Sequence, residues 1–284
     1  MKPGLAFAAL ALVSPLWACS TNVVDHSPAT RAGLQPSPCG ISDVERIAQI
    51  DLSADFMISG SRLGGISGID YSPDLQSWLL VSDARERDGG TRIFRARIER
   101  AGPAGFDLDV FDGAALSMAG SDGTTRPLVD AEAIRFIPGS EEFYISTEGD
   151  KDSGIKPGIL RSDASGTVVR EITWGNDLGS TGARTLRGNL SFEGLTIASG
   201  KDGFWFGLEA PYLEDGNLPT LEHGAEVPII HVGNDGRVRQ EFRYPVEPIA
   251  AQLPGRLADN GLSELLALDG NRFLVLERSG AQQP

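Results

Sequence analysis

Six acidic side chains recur at matching places along this chain. Glu132 and Glu193 are each followed sixteen residues later by another acid, Glu148 and Glu209. Asp83 stands sixteen residues after Ser67, and Glu277 ends the stretch that begins near Ser263. Carboxylates gathered in one place repel one another, and a cation relieves that repulsion. The chain has two Cys and three His, so such a set would offer oxygen ligands. Oxygen ligands suit a hard ion, calcium first and magnesium as the alternative. Calcium held there would hold phosphate and activate a water for in-line attack. Arg85, Lys151, Arg187 and Arg278 flank the acids and supply the cationic groups that phosphate oxygens need. No single residue is singled out as the catalytic group. The plainer alternative is that acids at strand ends cap turns, or pair with nearby Arg as structural salt bridges.

The elements that must position these acids are hairpins. Four segments overlay: Gly65–Asp83, Asp130–Glu148, Ser191–Glu209 and Gly261–Glu277. Each reads as a strand, a turn rich in Gly, Ser, Asn or Asp, and a second strand. The steps from Ser67 to Glu132, Glu193 and Ser263 are 65, 61 and 70 residues. In such a hairpin the early acid and the terminal acid lie near the same end and can face each other.

Further strands are expected after the first three hairpins: Arg92 to Glu99, Asp107 to Phe111, Gly158 to Ser162, Thr167 to Trp174, Pro228 to Val232 and Arg237 to Tyr244. Asp163-Ala-Ser-Gly166 and Gly233-Asn-Asp-Gly236 read as turns of one common type. Four strands per repeat predict an all-β chain, a β-propeller of four-stranded blades, with a β-sandwich as runner-up. The acids would then ring one mouth of a central channel. The count gives three full blades and a partial fourth. Val44 to Leu52 is expected to lend that blade an outer strand. Either the ring is small and strained or the chain is a shortened form of a longer one; the count favours the second. Gly68, Ala133 and Gly194 are expected to let inner strands pack closely. Trp78, Phe143, Trp205 and Phe273 are expected in the core or between blades, and His223 and His231 at the surface or hydrogen-bonded.

Composition narrows the classes. Thirty-nine acids against 25 bases give a formal charge of −14 over 284 residues, which repels a nucleic-acid backbone. With 35 Gly and 17 Pro, a long helical bundle is excluded. No Gly-x-Ser-x-Gly elbow, phosphate-cradling Gly-x4-Gly-Lys loop, dinucleotide fingerprint or His-Glu-x-x-His occurs.

The first residues read as an address. Residues 1–18 have one Lys, an apolar run from Leu5 to Val13 and a break at Pro15, the pattern of an export signal. Leu16-Trp17-Ala18-Cys19 resembles a bacterial lipobox, which makes Cys19 the expected lipidation site. Ordinary signal cleavage is the alternative, and a Cys19–Cys39 disulfide then becomes available in an oxidising compartment. Residues 19–42 read as that Cys and a flexible tether, and 43–284 as the folded domain. Membrane association would come through the N-terminal lipid alone.

The repeats also carry a family resemblance. Gly65-Ile-Ser-Gly-Ile with Val81-Ser-Asp83, Asp130-Ala-Glu-Ala-Ile with Ser146-Thr-Glu-Gly149, and Arg187-Gly-Asn-Leu-Ser-Phe-Glu-Gly-Leu195 with Leu208-Glu209 are similar to the "esterase-like activity of phytase" family. Asn260-Gly-Leu-Ser-Glu with Leu276-Glu-Arg278 continues the match, which covers roughly Arg46 to Ser279. Ala84 and Ser263 depart from the acids expected there, and members run well beyond the Leu-Glu-Arg motif. The resemblance implies an exported, propeller-like protein, a lipoprotein or a secreted one, with phosphoesterase or phytase-like activity on a small phosphorylated substrate. A non-catalytic cell-envelope module that binds an envelope ligand or acts as a scaffold is the other expectation. The sequence leaves the oligomeric state open.

Overall fold

The computed structural model describes residues 10–15, 49–53, 56–84, 90–102, 105–119, 125–128, 130–151, 154–175, 178, 184–250, 257–270 and 272–282. Cys19, the tether and Arg85 lie outside the described residues. Among the described residues every regular element is a strand. In chain order these are β1 (Leu10–Pro15), β2 (Met57–Ile58), β3 (Ser61–Arg62), β4 (Ile66–Ser72), β5 (Ser77–Ser82), β6 (Arg92–Ala101), β7 (Gly105–Ala115), β8 (Ser117–Ala119), β9 (Thr125–Pro127) and β10 (Ala131–Phe136). They continue as β11 (Glu142–Thr147), β12 (Gly158–Asp163), β13 (Val168–Thr173), β14 (Phe192–Ile197), β15 (Phe204–Leu208), β16 (Ala225–Val232), β17 (Val238–Val246), β18 (Leu257–Ala267) and β19 (Arg272–Gln282).

Three four-stranded antiparallel sheets run in the orders β4-β5-β6-β7, β10-β11-β12-β13 and β14-β15-β16-β17. The four-stranded repeats expected from the sequence are therefore present. Burial explains their order. Every residue of β15 is buried, as are the first five residues of β14, while β7 has a single buried residue and β13 has two. Strands covered on both faces read as continuous apolar runs, and edge strands do not. The turns Asp163–Gly166 and Gly233–Gly236 share one construction. Each closes with an amide-to-carbonyl bond, Gly166 N to Asp163 O at 3.1 Å and Gly236 N to Gly233 O at 2.8 Å. Their last residues have φ of 85° and 83°, a conformation that favours Gly.

The last sheet has the order β1-β19-β18. Its third strand is Leu10–Pro15, paired antiparallel with Arg272–Glu277. Val44–Ala48 fall outside the described residues. Gln49–Leu52 form no strand; they are exposed, and Gln49 turns to bond Asp51 at 2.9 Å. Leu10–Pro15 lies within the stretch that reads as an export signal, so cleavage of that signal would remove this strand and open the edge of β19.

Apolar cores lie between successive sheets. Leu79 and Val81 meet Ile134, Phe136 and Phe143; Tyr144 and Ile159 meet Phe192, Phe204 and Phe206; Val227 and Ile229 meet Leu262, Phe273 and Val275. The aromatic residues that begin the second strands behave as expected. Trp205 packs edge-on against Phe273 of the next sheet, with ring centroids 5.2 Å apart. His231 stacks on Trp205, and one of its ring nitrogens contacts Asp202 O at 2.7 Å.

The inner strands β4, β10, β14 and β18 approach so closely that small residues are required. A Cβ on Gly68 would lie 2.7 Å from Ala133 Cα, and one on Gly194 would lie 2.7 Å from the backbone of Glu264 and Leu265. Backbone cannot yield as a side-chain tip can. Gly194→Ala is therefore expected to destabilise the fold by about 2 kcal/mol, read as a fall of several degrees in thermal unfolding by circular dichroism. Buried Arg135 ties three of these strands together. It donates to Ile69 O of β4 at 3.1 Å and Leu265 O of β18 at 3.3 Å, and pairs with Glu264 at 2.8 Å.

Candidate functional site: a carboxylate cluster at the strand ends

One local device repeats in all four inner hairpins. The register shifts between Ile66 and Gly68, Ala131 and Ala133, Phe192 and Leu195, and Leu262 and Glu264. Each shift is a β-bulge, and the bulged residues include Ser67, Glu132, Glu193 and Ser263. A bulge inserts an extra residue, bends the strand and re-aims the side chain. The disturbed backbone is satisfied locally: Ala133 N donates to Ser146 Oγ at 2.9 Å, and that hydroxyl donates to Glu193 O at 2.7 Å. Two successive bulges are thereby coupled.

The terminal acid of each of the first three hairpins is pinned beside its bulge. Asp83 N donates to Gly65 O at 2.8 Å, Glu148 N to Asp130 O at 3.0 Å and Glu209 N to Ser191 O at 2.9 Å. The sixteen-residue spacing thus does bring both positions to one end. Asp130 adopts φ 53°, as Gly65 does in the first repeat with φ 59°. Left-handed backbone is uncommon for a residue with a side chain and marks a place worth inspection.

Two trios of carboxylates result. Asp130, Glu132 and Glu148 have oxygens within 4.8 Å of one another, and so do Glu148, Glu193 and Glu209. Glu148 belongs to both. Its Oε1 accepts a short bond from Ser191 N, which fixes it between the second and third sheets. Burial, then the charges of Glu148, Asp130 and Asp83, push Glu132 up to about 8. Burial is also the main cause that raises Glu148, to about 7, with Glu209 and Asp130 adding repulsion. Glu193, the most buried, is raised well above the ordinary carboxylate range by burial and by Glu132 and Glu209. Glu209 is raised by burial against the opposing pull of Arg278. Without a cation, burial and mutual repulsion hold all four carboxyls above the ordinary carboxylate range. An all-oxygen set of this density could hold a hard divalent ion.

The remaining sequence-predicted residues divide. Arg278 stands at the cluster, 3.5 Å from Glu209 and 3.8 Å from Glu193. Burial opposes its charge, but those two carboxylates and Glu132 outweigh it and hold the guanidinium protonated. Asp83 is exposed and adds charge near Glu132 without joining a trio. Glu277 is used elsewhere: it accepts from Tyr244 Oη at 2.8 Å, Glu247 N at 3.0 Å and Asn260 Nδ2 at 2.8 Å. Arg187 donates to the carbonyls of Pro211 at 3.0 Å and Gly216 at 2.5 Å, so it braces a loop. Lys151 is exposed in the turn after Asp150. The sequence reading missed Asp130, although it occupies the place of Gly65 in the repeat, and Asp259, whose charge acts on both Glu209 and Arg278.

No curated protein matches this chain. A family model described as "Phytase-like: Esterase-like activity of phytase" matches residues 61–284. That span contains all four inner hairpins, their bulges and both carboxylate trios. It also matches the region where the repeated acidic motifs carry the likeness, and it covers most of the chain, so the protein belongs to the phytase-like family of the esterase-like activity of phytase.

Proposed function

We propose that this protein is an exported β-propeller phosphoesterase that hydrolyses an organic phosphate at the carboxylate cluster, with a divalent cation of the calcium type. The observation that carries the reading is Glu148, a carboxylate shared by two trios, within each of which the oxygens lie within 4.8 Å of one another. Family membership supports phosphoester chemistry. Four successive sheets with converging inner strands support a propeller, whose channel mouth the acids would line. The apolar residues before Pro15, and Cys19 after them, support export and a lipid anchor at the periplasmic face of a membrane.

Glu148, Glu193 and Glu209 would hold the cation. Bound there, a divalent ion supplies charge neutralisation, polarisation of a phosphoryl oxygen and a more acidic water. The chain's own residues do the rest. Arg278 neutralises Glu193 and Glu209 in part, and a cation would free it to donate to the phosphate oxygens. Glu132 stands beside Glu148, outside the trio that would hold the ion, and is the carboxyl placed to deliver a proton. In the reaction the water oxygen bonds to phosphorus and the bond from phosphorus to the alcohol oxygen breaks. The water gives its proton to a carboxylate, and the alcohol oxygen takes one from Glu132.

The test is phosphate release from p-nitrophenyl phosphate and phytate by the purified protein. Release with calcium, abolished by a chelator and restored by calcium, is expected. Release unaffected by the chelator would overturn the metal reading. A non-catalytic envelope binding or scaffolding module is the second reading. It is favoured by one observation: of the described basic residues expected to hold phosphate, Arg278 alone stands at the acids. A folded protein that releases no phosphate from either ester would support it.

A further inference from the structure

A cavity of about 70 Å³ opens beside Glu209, between the loop that carries Leu218 and the start of β18. Its two walls differ in chemistry. Leu190, Leu218 and Pro219 make one wall apolar; Glu209, Asp259 and Asn260 make the other. Leu218 is 40% exposed although it adjoins a nearly buried acid. Asn260 is buried, and its amide orientation is fixed by two acceptors. Its Nδ2 donates to Glu247 O at 2.8 Å and to Glu277 Oε2 at 2.8 Å, so the other atom must be the oxygen. That Oδ1 is buried and has no donor. A buried acceptor without a donor is costly and calls for a partner.

The polar wall therefore carries acceptors: the carboxylates of Glu209 and Asp259, with the undonated Asn260 Oδ1 buried within the same wall. Such a wall attracts hydroxyl or amine hydrogens and repels phosphate oxygens. The adjoining apolar wall is suited to a hydrocarbon surface. A further phosphate of phytate would meet the Asp259 carboxylate and the apolar wall across a small space.

We propose that this cavity is the subsite for the alcohol part of the substrate, and that this part is an apolar group with a hydrogen-bond donor rather than a polyphosphorylated ring. The inference rests on the reading of the neighbouring cluster as a phosphoesterase site. It makes Leu218 a specificity-determining residue and leaves the cation and phosphate contacts to the carboxylates and Arg278.

The experiment compares the full chain with Leu218→Asp and Leu218→Met, with calcium present, on 2-naphthyl phosphate, methyl phosphate and phytate, and measures 2-naphthol binding separately by fluorescence. Leu218 is on an exposed loop, and the Met variant checks that any loss comes from polarity. Wild type is expected to favour 2-naphthyl phosphate over phytate by about tenfold or more in kcat/KM. Leu218→Asp should raise KM for the naphthyl ester roughly tenfold, leave methyl phosphate unchanged and weaken 2-naphthol binding by the same factor. Leu218→Met should behave as wild type. Preference for phytate, or equal effects of Leu218→Asp on naphthyl and methyl esters, would overturn the subsite while the phosphoesterase reading stands. Absence of 2-naphthol binding overturns it as well. Binding of 2-naphthol that Leu218→Asp abolishes, without cleavage of any ester, would keep the apolar subsite and overturn the reaction.

Discussion

Glu148→Gln is expected to lower metal-dependent phosphate release by about 100-fold or more, while the protein remains folded. Glu148 lies in both carboxylate trios, so its loss removes a ligand from either arrangement of the ion. The amide keeps the size of the side chain, and its oxygen can still accept from Ser191 N. The second part of the expectation concerns stability. In the cation-free protein the substitution removes one member of a repelling set, so at pH 8 the variant should be more stable than wild type, by on the order of 1 kcal/mol. A gain of stability joined to a loss of activity is what a site built for a cation produces. If Glu148 merely capped the turn at Ser191, the variant would keep its activity and lose a little stability. Steady-state kinetics and thermal unfolding on the same preparation separate these outcomes.

The cation-free protein is also expected to lose stability as pH rises, by an amount large enough to see directly. Glu132 and Glu148 are raised from an ordinary value of 4.5 to about 8 and about 7 in the folded protein. Between the unfolded and folded values the native state binds more protons than the unfolded chain. Stability therefore falls with rising pH through this window, from about 4.5 to about 8, by on the order of several kcal/mol. Asp163, Glu214 and Asp235 act in the opposite sense. Hydrogen bonds lower them, so their contribution is lost only as pH falls below the ordinary carboxylate range, outside this window. In chelator, thermal unfolding should occur roughly 5–10 °C higher at pH 5.5 than at pH 8.5. Saturating calcium should shrink that difference, because a cation then replaces the proton on its ligand Glu148 and binding strengthens as ligands deprotonate. A profile in chelator that is flat between these pH values would refute the clustering of charge.

Much of this architecture is legible in the sequence because a hairpin is a local object. The interval from Glu132 to Glu148, repeated from Glu193 to Glu209, already says that the two acids return to one end. Gly68, Ala133 and Gly194 announce close strands, since no larger side chain fits against the backbone of Ala133 or Glu264. The bulges are not legible. A single extra residue leaves no signature of residue type, yet it turns Glu132 and Glu193 toward their neighbours. Asp130 reads as an ordinary turn residue until its place is compared with that of Gly65. The roles of Glu277 and Arg187 depend on partners distant in sequence: Tyr244 lies 33 residues before Glu277, and Gly216 lies 29 after Arg187. Ser263 was the warning for Glu277. The fourth repeat lacks the early acid that would have met it, and hydrogen-bond donors take up its carboxylate instead. The pairing of Leu10–Pro15 with β19 is not legible either. An edge is paired through backbone N–H and C=O groups, so side-chain pattern alone does not say which segment takes it.

The most direct test of the carboxylate cluster is calorimetric titration of calcium into the chelator-stripped full chain at pH 8, with Glu148→Gln alongside. The wild-type protein should bind calcium saturably and release protons, shown by heats that change with the ionisation enthalpy of the buffer, and the variant should lose that binding. Absence of saturable binding by the folded wild-type protein, or equal binding by the variant, would contradict a cation site at Glu148, Glu193 and Glu209.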